Sequence, residues 1–508
     1  MLLITFSLLI GMTFLLLAKL SLWRYNCSQL MPGRKLNFLN IFGDLIEVIK
    51  YLNSDADHPF QLKILNALVN CCKTFQKQQL FCLWGFYTPL VFLVKSGAVK
   101  EVLNANGLKE KSWIYEWGKL GFGNGLPCSQ HAIWKPRRKM INRCFHPDVL
   151  RGFIPIFNDK AQKLVNFFQE NGKEFITIND TIQLCSVDVV CGFPLVRPQN
   201  LAKIVKKYEI PEGNHSKLRA GELFMNRICK FWLWPEFIFW NTPSGRDTKS
   251  NLKVLKDFTR KIMHEKKEQY LTSECKMYEG KRQALLDLLL DLHCDTNQLS
   301  EEDLLDEVNS FALAGSDTTA STVTWAFYMI GLFPEIQKKI HQELDRVFEK
   351  DIDKEATEDD LNQLFYLDCV LKETLRLYPP LPLFGRKVEE DTIICGYTIP
   401  KGASCLIFLY SLHRDEDVFP DPEKFDPERF LAENSADIPE YAYIPFSGGP
   451  RNCIGYRYAM MEVKILVSAV LRNFVIEPLD VENKILPKLQ ITLQPSKPIY
   501  MRFLPRKL

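Results

Sequence analysis

Phe446-Ser447-Gly448-Gly449-Pro450-Arg451-Asn452-Cys453-Ile454-Gly455 is the stretch that decides how this chain is read. It places a cysteine on a glycine-rich loop directly ahead of a segment in which Ala459, Val463, Leu466 and Val470 recur at helical spacing. A thiol at a helix start meets backbone N–H groups and the positive end of the helix dipole, and Arg451 adds a cation nearby. The pattern predicts a lowered thiol pKa and a sulfur suited to hold a metal. The glycines let the backbone approach a flat ligand closely.

The rest of the composition sets the frame. The chain has 508 residues, 46% hydrophobic and 25% charged, which suits a large folded core and excludes wholesale disorder. A formal charge of +3 is too small at this size to imply nucleic-acid binding. Fifteen cysteines, with Cys71 and Cys72 adjacent, follow no regular spacing, so they are expected to be mostly buried, reduced thiols.

The N-terminus carries no charge from Leu2 to Leu17, and with Lys19 snorkelling the apolar run reaches Trp23, long enough for one membrane span. Lys19, Arg24, Arg34 and Lys35 lie on its C-terminal side, which predicts that the remainder faces the cytosol. A cleaved signal peptide fits less well, because the basic leading region and a small-x-small cleavage site are missing. On this reading the sequons at Asn179 and Asn214 stay unmodified. The expected organisation is an anchor over 1–23, a basic linker over 24–42 with Pro32-Gly33 as its turn, and one domain over 43–508.

Within that domain, helical periodicity covers Leu285 to Leu292 and Glu301 to Phe333, the latter capped by Ser300 with Asp303 and stopped by Pro334. A further helix is predicted from Leu361 to Tyr378, and strands from Ile393 to Pro400 and Ala403 to Tyr410. The fold class is therefore mainly α with small β-sheets. Glu373 and Arg376 share a helix face, as do Glu343 and Arg346, the second read as a surface pair. Ala314-Gly315-Ser316-Asp317-Thr318-Thr319 is poor helix-forming sequence in the middle of the long helix. A threonine bonded back to the preceding turn would be its bland explanation. The alternative is a loosened turn in which Ala314 and Gly315 make room, while Asp317 and Thr318 present a proton-delivery pair.

The cysteine loop resembles the haem-binding signature of the cytochrome P450 superfamily at Phe446, Gly449, Arg451, Cys453 and Gly455. The resemblance implies that fold as a single large domain, with haem b held by Cys453 as the axial ligand of the iron. It makes Asp317 and Thr318 the oxygen-activating pair, and Glu373, Arg376 and Arg429 a buried brace. Trp134-Lys135-Pro136-Arg137-Arg138 resembles the helix whose Trp134 and Arg138 contact a haem propionate, and Arg386 and Arg451 match further propionate positions. Where the family has glycine three residues before the tryptophan, this chain has His131.

Gly245-Arg246, Leu286-Asp287-Leu288-Leu289-Leu290 and Ala459-Met460-Met461-Glu462 are similar to family four, which implies oxidation of a fatty acid or related lipid. Many members of that family link a glutamate to the haem; Ala314 stands at that position here, which implies non-covalent haem. With no dinucleotide fingerprint in the chain, electrons from NADPH would come through an external cytochrome reductase, with cytochrome b5 as a second donor, at the endoplasmic reticulum membrane. Lys135, Arg137, Lys139 and Arg143 form a basic cluster that could steer such a partner. The rivals are a haem-thiolate isomerase or dehydratase, which needs no NADPH, and a non-catalytic haem or lipid binder.

Overall fold

Helices form where the apolar residues recur at helical spacing. In the computed structural model, which describes residues 2–54, 59–104, 107–192, 214–272, 285–481 and 484–507, they include α1 (Leu2–Leu30), α2 (Ile114–Phe122), α3 (His131–Ile141), α4 (Asn179–Gly192), α5 (Asn214–Cys229) and α6 (Glu236–Phe239). After them come α7 (Leu285–Cys294), α8 (Glu301–Leu332), α9 (Pro334–Val347), α10 (Phe365–Leu377) and α11 (Tyr456–Asn473). The chain divides into two compact units: 1–113, 382–422 and 438–452 form one, and 114–381, 423–437 and 453–508 the other.

In the second unit α8 is the central element. It starts as its sequence dictates, with Ser300 and Asp303 exchanging a reciprocal pair of backbone bonds. Its C-terminal half is buried on all sides: Trp325 stacks on Tyr378 at 4.0 Å and donates its indole N–H to the Leu493 carbonyl. The α8 helix runs without interruption through Ala314–Thr319, so the expected loosened turn is absent. Ser316 and Thr318 hydroxyls bond back to the carbonyls four residues earlier, both at 2.7 Å, and the helix absorbs them. Small sheets, including Ile176–Thr177 with Tyr500–Pro505 and Phe474–Pro478, complete this mainly helical unit.

One predicted helix divides in two. Where periodicity suggested Leu361 to Tyr378, Glu358–Asn362 is a separate short helix and α10 begins at Phe365. The reason lies in α9: the Glu343 carboxylate accepts the backbone N–H groups of Tyr366 and Leu367 at 2.7 and 2.9 Å, giving α10 its own cap. Glu343 is therefore a buried capping residue and not half of a surface pair; Arg346 stands 4.0 Å away and is exposed.

In the first unit Leu80–Gly85 pairs antiparallel with Thr88–Leu93, which lies parallel to Ser404–Phe408, itself antiparallel to Leu383–Lys387. The predicted apolar stretch beginning at Ile393 is a hairpin, Thr392–Ile394 with Tyr397–Ile399, turned by Cys395 and Gly396 at positive φ. Val91, Leu93, Val99, Cys405 and Ile407 fill the core beneath. Helix α1 is exposed from Ile4 to Leu17 and is long and apolar enough to cross a membrane. It continues to Leu30, into the stretch expected as a linker, because Arg24 is fully buried against this unit. The guanidinium donates to the carbonyls of Phe86 at 2.8 Å, Ile41 at 3.0 Å and Asn40, and Trp23 meets Trp84 edge-on at 5.7 Å. Among the described residues every cysteine is a free thiol.

Candidate active site

The second unit brings Cys453, Arg138 and the middle of α8 into one fold, and the first-unit residues of the signature form a separate, tightly built loop. Cys453 lies immediately before α11, whose N-cap is Gly455. The Gly455 N–H bonds to its sulfur, and the Arg138 guanidinium is close enough to act on it electrostatically. Both favour the thiolate, yet burial outweighs them and pushes the thiol pKa above its ordinary value, contrary to the sequence expectation. As a residue Cys453 is nevertheless solvent-exposed, so the protein around it leaves part of its surface uncovered.

The same unit opens along one stretch of α8. On either side the helix is buried, from Leu304 to Ser310 and from Thr319 onward, whereas Ala314 is exposed and Phe311, Ala312, Leu313 and Gly315 are half-buried. Ala314 thus faces open space in the middle of a core helix. Gly315 does something else: a Cβ there would come within 3.0 Å of Val190 on α4, so its missing side chain serves helix packing and does not widen the opening. Beside it, Asp317 accepts a hydrogen bond from the Gln183 amide at 2.8 Å, and Thr318 donates to the Ala314 carbonyl. Gln183, which holds the Asp317 carboxylate in place, was not legible in sequence, because nothing in a local motif links position 183 to position 317.

On α3, Trp134 is buried and stacks on His131 at 5.6 Å, so the residue that replaces the family's glycine lies against the tryptophan's indole. Arg137 turns away from the surface: it is 8% exposed, pairs with Asp303, reaches Glu307 at 3.3 Å and donates to the Asn124 carbonyl. That removes it from the expected basic cluster, leaving Lys135, Lys139 and Arg143 exposed. The pairing has a structural purpose, because Asp306 and Glu307 also accept the backbone N–H groups of Asn124 and Leu126 and so fix the loop leading to α3. Burial raises the Glu307 carboxyl to about 7 despite Arg137.

Glu373, Arg376 and Arg429 also come together. Glu373 and Arg376 are both fully buried and joined by two bonds of 2.7 and 2.8 Å, with the Asp426 N–H as a further donor and Arg429 at 3.7 Å. Arg376 also donates to the Lys424 carbonyl.

In the first unit the signature loop is strained and close-packed. Ser447 and Gly449 both have positive φ, and a Cβ on Gly449 would fall 1.7 Å from the Leu103 carbonyl oxygen, so only glycine fits. Phe446 is half-buried and Arg451 is 9% exposed. Arg386, in the strand Leu383–Lys387, is 2% exposed and lies over the Phe384 ring at 5.6 Å.

Comparison with known proteins agrees with this geometry. The family model described as Cytochrome P450 matches residues 58–503. The chain is 36% identical over 445 residues to Cytochrome P450 4V2 of Homo sapiens, covering 86% of this chain and 84% of the relative. It is 33% identical over 442 residues to Cytochrome P450 4c3 of Drosophila melanogaster (83% and 81%), and 34% over 435 residues to Cytochrome P450 4c21 of Blattella germanica (84% and 86%). A cysteine on a glycine-built loop at a helix start, a core helix open at Ala314 and these matches lead to one conclusion: the chain is a monooxygenase of the cytochrome P450 family, with relatives in family four.

Proposed function

We propose that this protein inserts one oxygen atom from O2 into a lipophilic substrate, a fatty acid or related lipid, with a non-covalently held haem whose iron Cys453 would hold. The observation that carries the proposal is the presence, within one unit, of a solvent-exposed Cys453 at the head of α11 and an exposed Ala314 in the middle of a buried helix. The donor set fits haem: a thiol for the iron, a small residue along the open helix face, and the half-buried, cationic Arg138 close enough to act on the sulfur, for an anionic rim. Bound haem supplies the oxygen-binding and redox chemistry of the reaction.

The chain's own residues do the rest. The Gly455 N–H holds the sulfur in place. Motif positions assign Trp134, Arg138, Arg386 and Arg451 to the propionates, with Phe446 and Gly449 shaping the cysteine loop. Asp317, steadied by Gln183, and Thr318, whose hydroxyl donates to the Ala314 carbonyl and keeps its lone pairs free to accept, hold and move protons beside the open stretch of α8. The apolar start of α1 and the positive charges on its C-terminal side, Lys19, Arg34 and Lys35, support anchoring in the endoplasmic reticulum membrane with the catalytic part in the cytosol. NADPH would act through a cytochrome reductase, with cytochrome b5 as a second donor.

Incubation of full-length, haem-loaded protein with reductase, NADPH and a panel of lipids, read by mass spectrometry, tests the proposal. Products one oxygen heavier than substrate that require NADPH are expected. Rearranged products of unchanged mass formed without NADPH would replace monooxygenation with isomerase chemistry.

A further inference from the structure

Arg227, in the last turn of α5, is 2% exposed, and none of its three guanidinium nitrogens has a hydrogen-bond partner among the described residues. Glu236 on α6 stands 3.9 Å from Nη2, too far for a hydrogen bond, and its side chain is mostly exposed, so solvent screens the attraction. Aromatic rings surround the cation instead: Phe239 at 4.1 Å, Trp117 at 4.6 Å and Trp240 at 6.0 Å. Rings offset part of the loss of hydration, but they take none of the in-plane N–H donors. Burial pulls the guanidinium pKa below its ordinary value, the sign of a cation held without full compensation.

The cage lies close to the open stretch of α8. Trp117 is one turn from Gly121 on α2, about 6 Å along the axis. A Cβ on Gly121 would sit 3.7 Å from Leu313, the neighbour of the exposed Ala314. Helix α2 therefore touches the caged guanidinium at one turn and the flank of the opening at the next.

We propose that Arg227 is the anchor for an ionised carboxylate at the head of the substrate, whose apolar chain runs past the aromatic rings toward Ala314. The inference rests on the lipid-oxygenase reading above and sharpens it: among lipids of one chain length, the free acid is preferred over the ester, the alcohol and the hydrocarbon. A planar fork of N–H donors matches a carboxylate with two parallel bonds, and the rings suit the first methylenes behind it.

The test is binding to full-length, haem-loaded protein, read from the substrate-induced shift of the Soret band and from displacement of a fluorescent fatty acid. A saturated fatty acid is compared with its methyl ester. Wild-type protein is expected to favour the acid, and Arg227→Met to weaken acid binding by about tenfold or more while leaving the ester within about twofold. Arg227→Lys, which keeps the charge without the fork, is expected to fall between them and remains informative if the methionine variant does not fold. Glu236→Gln is expected to leave the acid preference unchanged. Equal loss of acid and ester binding in Arg227→Met, or unchanged acid affinity in a folded variant, overturns the anchor. Wild-type protein that binds and oxidises the ester as well as the acid overturns the anchor alone, whereas binding of neither removes the lipid reading with it.

Discussion

Glu373 and Arg376 face each other across one turn of α10 with two bonds of 2.7 and 2.8 Å, and both side chains are completely buried. Burial pushes the Glu373 carboxyl upward in pKa, while Arg376, the Asp426 N–H and Arg429 pull it down. Such a pair adds little net stability, but removing one partner leaves the other charge buried and uncompensated, at a cost of about 3–5 kcal/mol. Glu373→Ala is therefore expected to yield little haem-loaded, folded protein. Thermal denaturation and the haem-to-protein ratio check this; a variant as stable as wild type would contradict it.

Glu307 gives a pH dependence with a definite sign. Its carboxyl, with an ordinary value of 4.5, is raised to about 7 by burial. A group whose folded pKa is raised favours the folded state while protonated, so its contribution is fully present below about 4.5 and is lost as pH climbs through about 7. Glu307→Gln keeps a hydrogen-bonding side chain and removes the titration. The difference in melting temperature between variant and wild type is expected to grow in the variant's favour from about pH 5 to pH 8; a constant difference would show that Glu307 does not titrate there.

Charge reversal on α3 and the turn after it separates docking from folding. Lys135, Lys139 and Arg143 are exposed, and reversing them is expected to slow reduction by the reductase several-fold at low salt and less at high salt. Arg137→Glu is expected to lower stability by about 3–5 kcal/mol, because it places like charge against Asp303 and the buried Glu307. Stopped-flow reduction at two ionic strengths, with thermal melts, checks both. An unchanged salt dependence would remove the docking role.

Alanine at position 314 cannot form an ester to the porphyrin. Haem is expected to leave the chain in acidified organic solvent. Porphyrin retained on the denatured polypeptide, seen by intact mass, would contradict this.

How far the sequence could be read follows the range of the interactions. The cap of α8 and the helix after Cys453 are written within a few residues of themselves, and local pattern was enough to find them, whereas the Glu373–Arg376 spacing alone reads as a solvated pair and only the family resemblance marked it as a buried brace with Arg429. Glu343 capping α10 from another helix, Gln183 holding Asp317 and Arg137 pairing with α8 all join residues distant in the chain, which periodicity cannot register. The thiol pKa went the other way for a related reason: the local helix start favours the thiolate, but depth of burial is set by the whole fold. Arg24 shows the same limit, since a basic residue after an apolar run reads as a solvated flank until its three carbonyl partners are in view.

The proposed chemistry depends on a bond between the Cys453 sulfur and haem iron. The most direct measurement is the absorption spectrum of purified, folded protein after reduction and exposure to carbon monoxide, beside Cys453→Ala prepared in the same way. A thiolate-type Soret band is expected in wild type and its loss in the variant. A well-folded, haem-loaded wild type without that band, or a variant that keeps it, would show that Cys453 does not hold the iron.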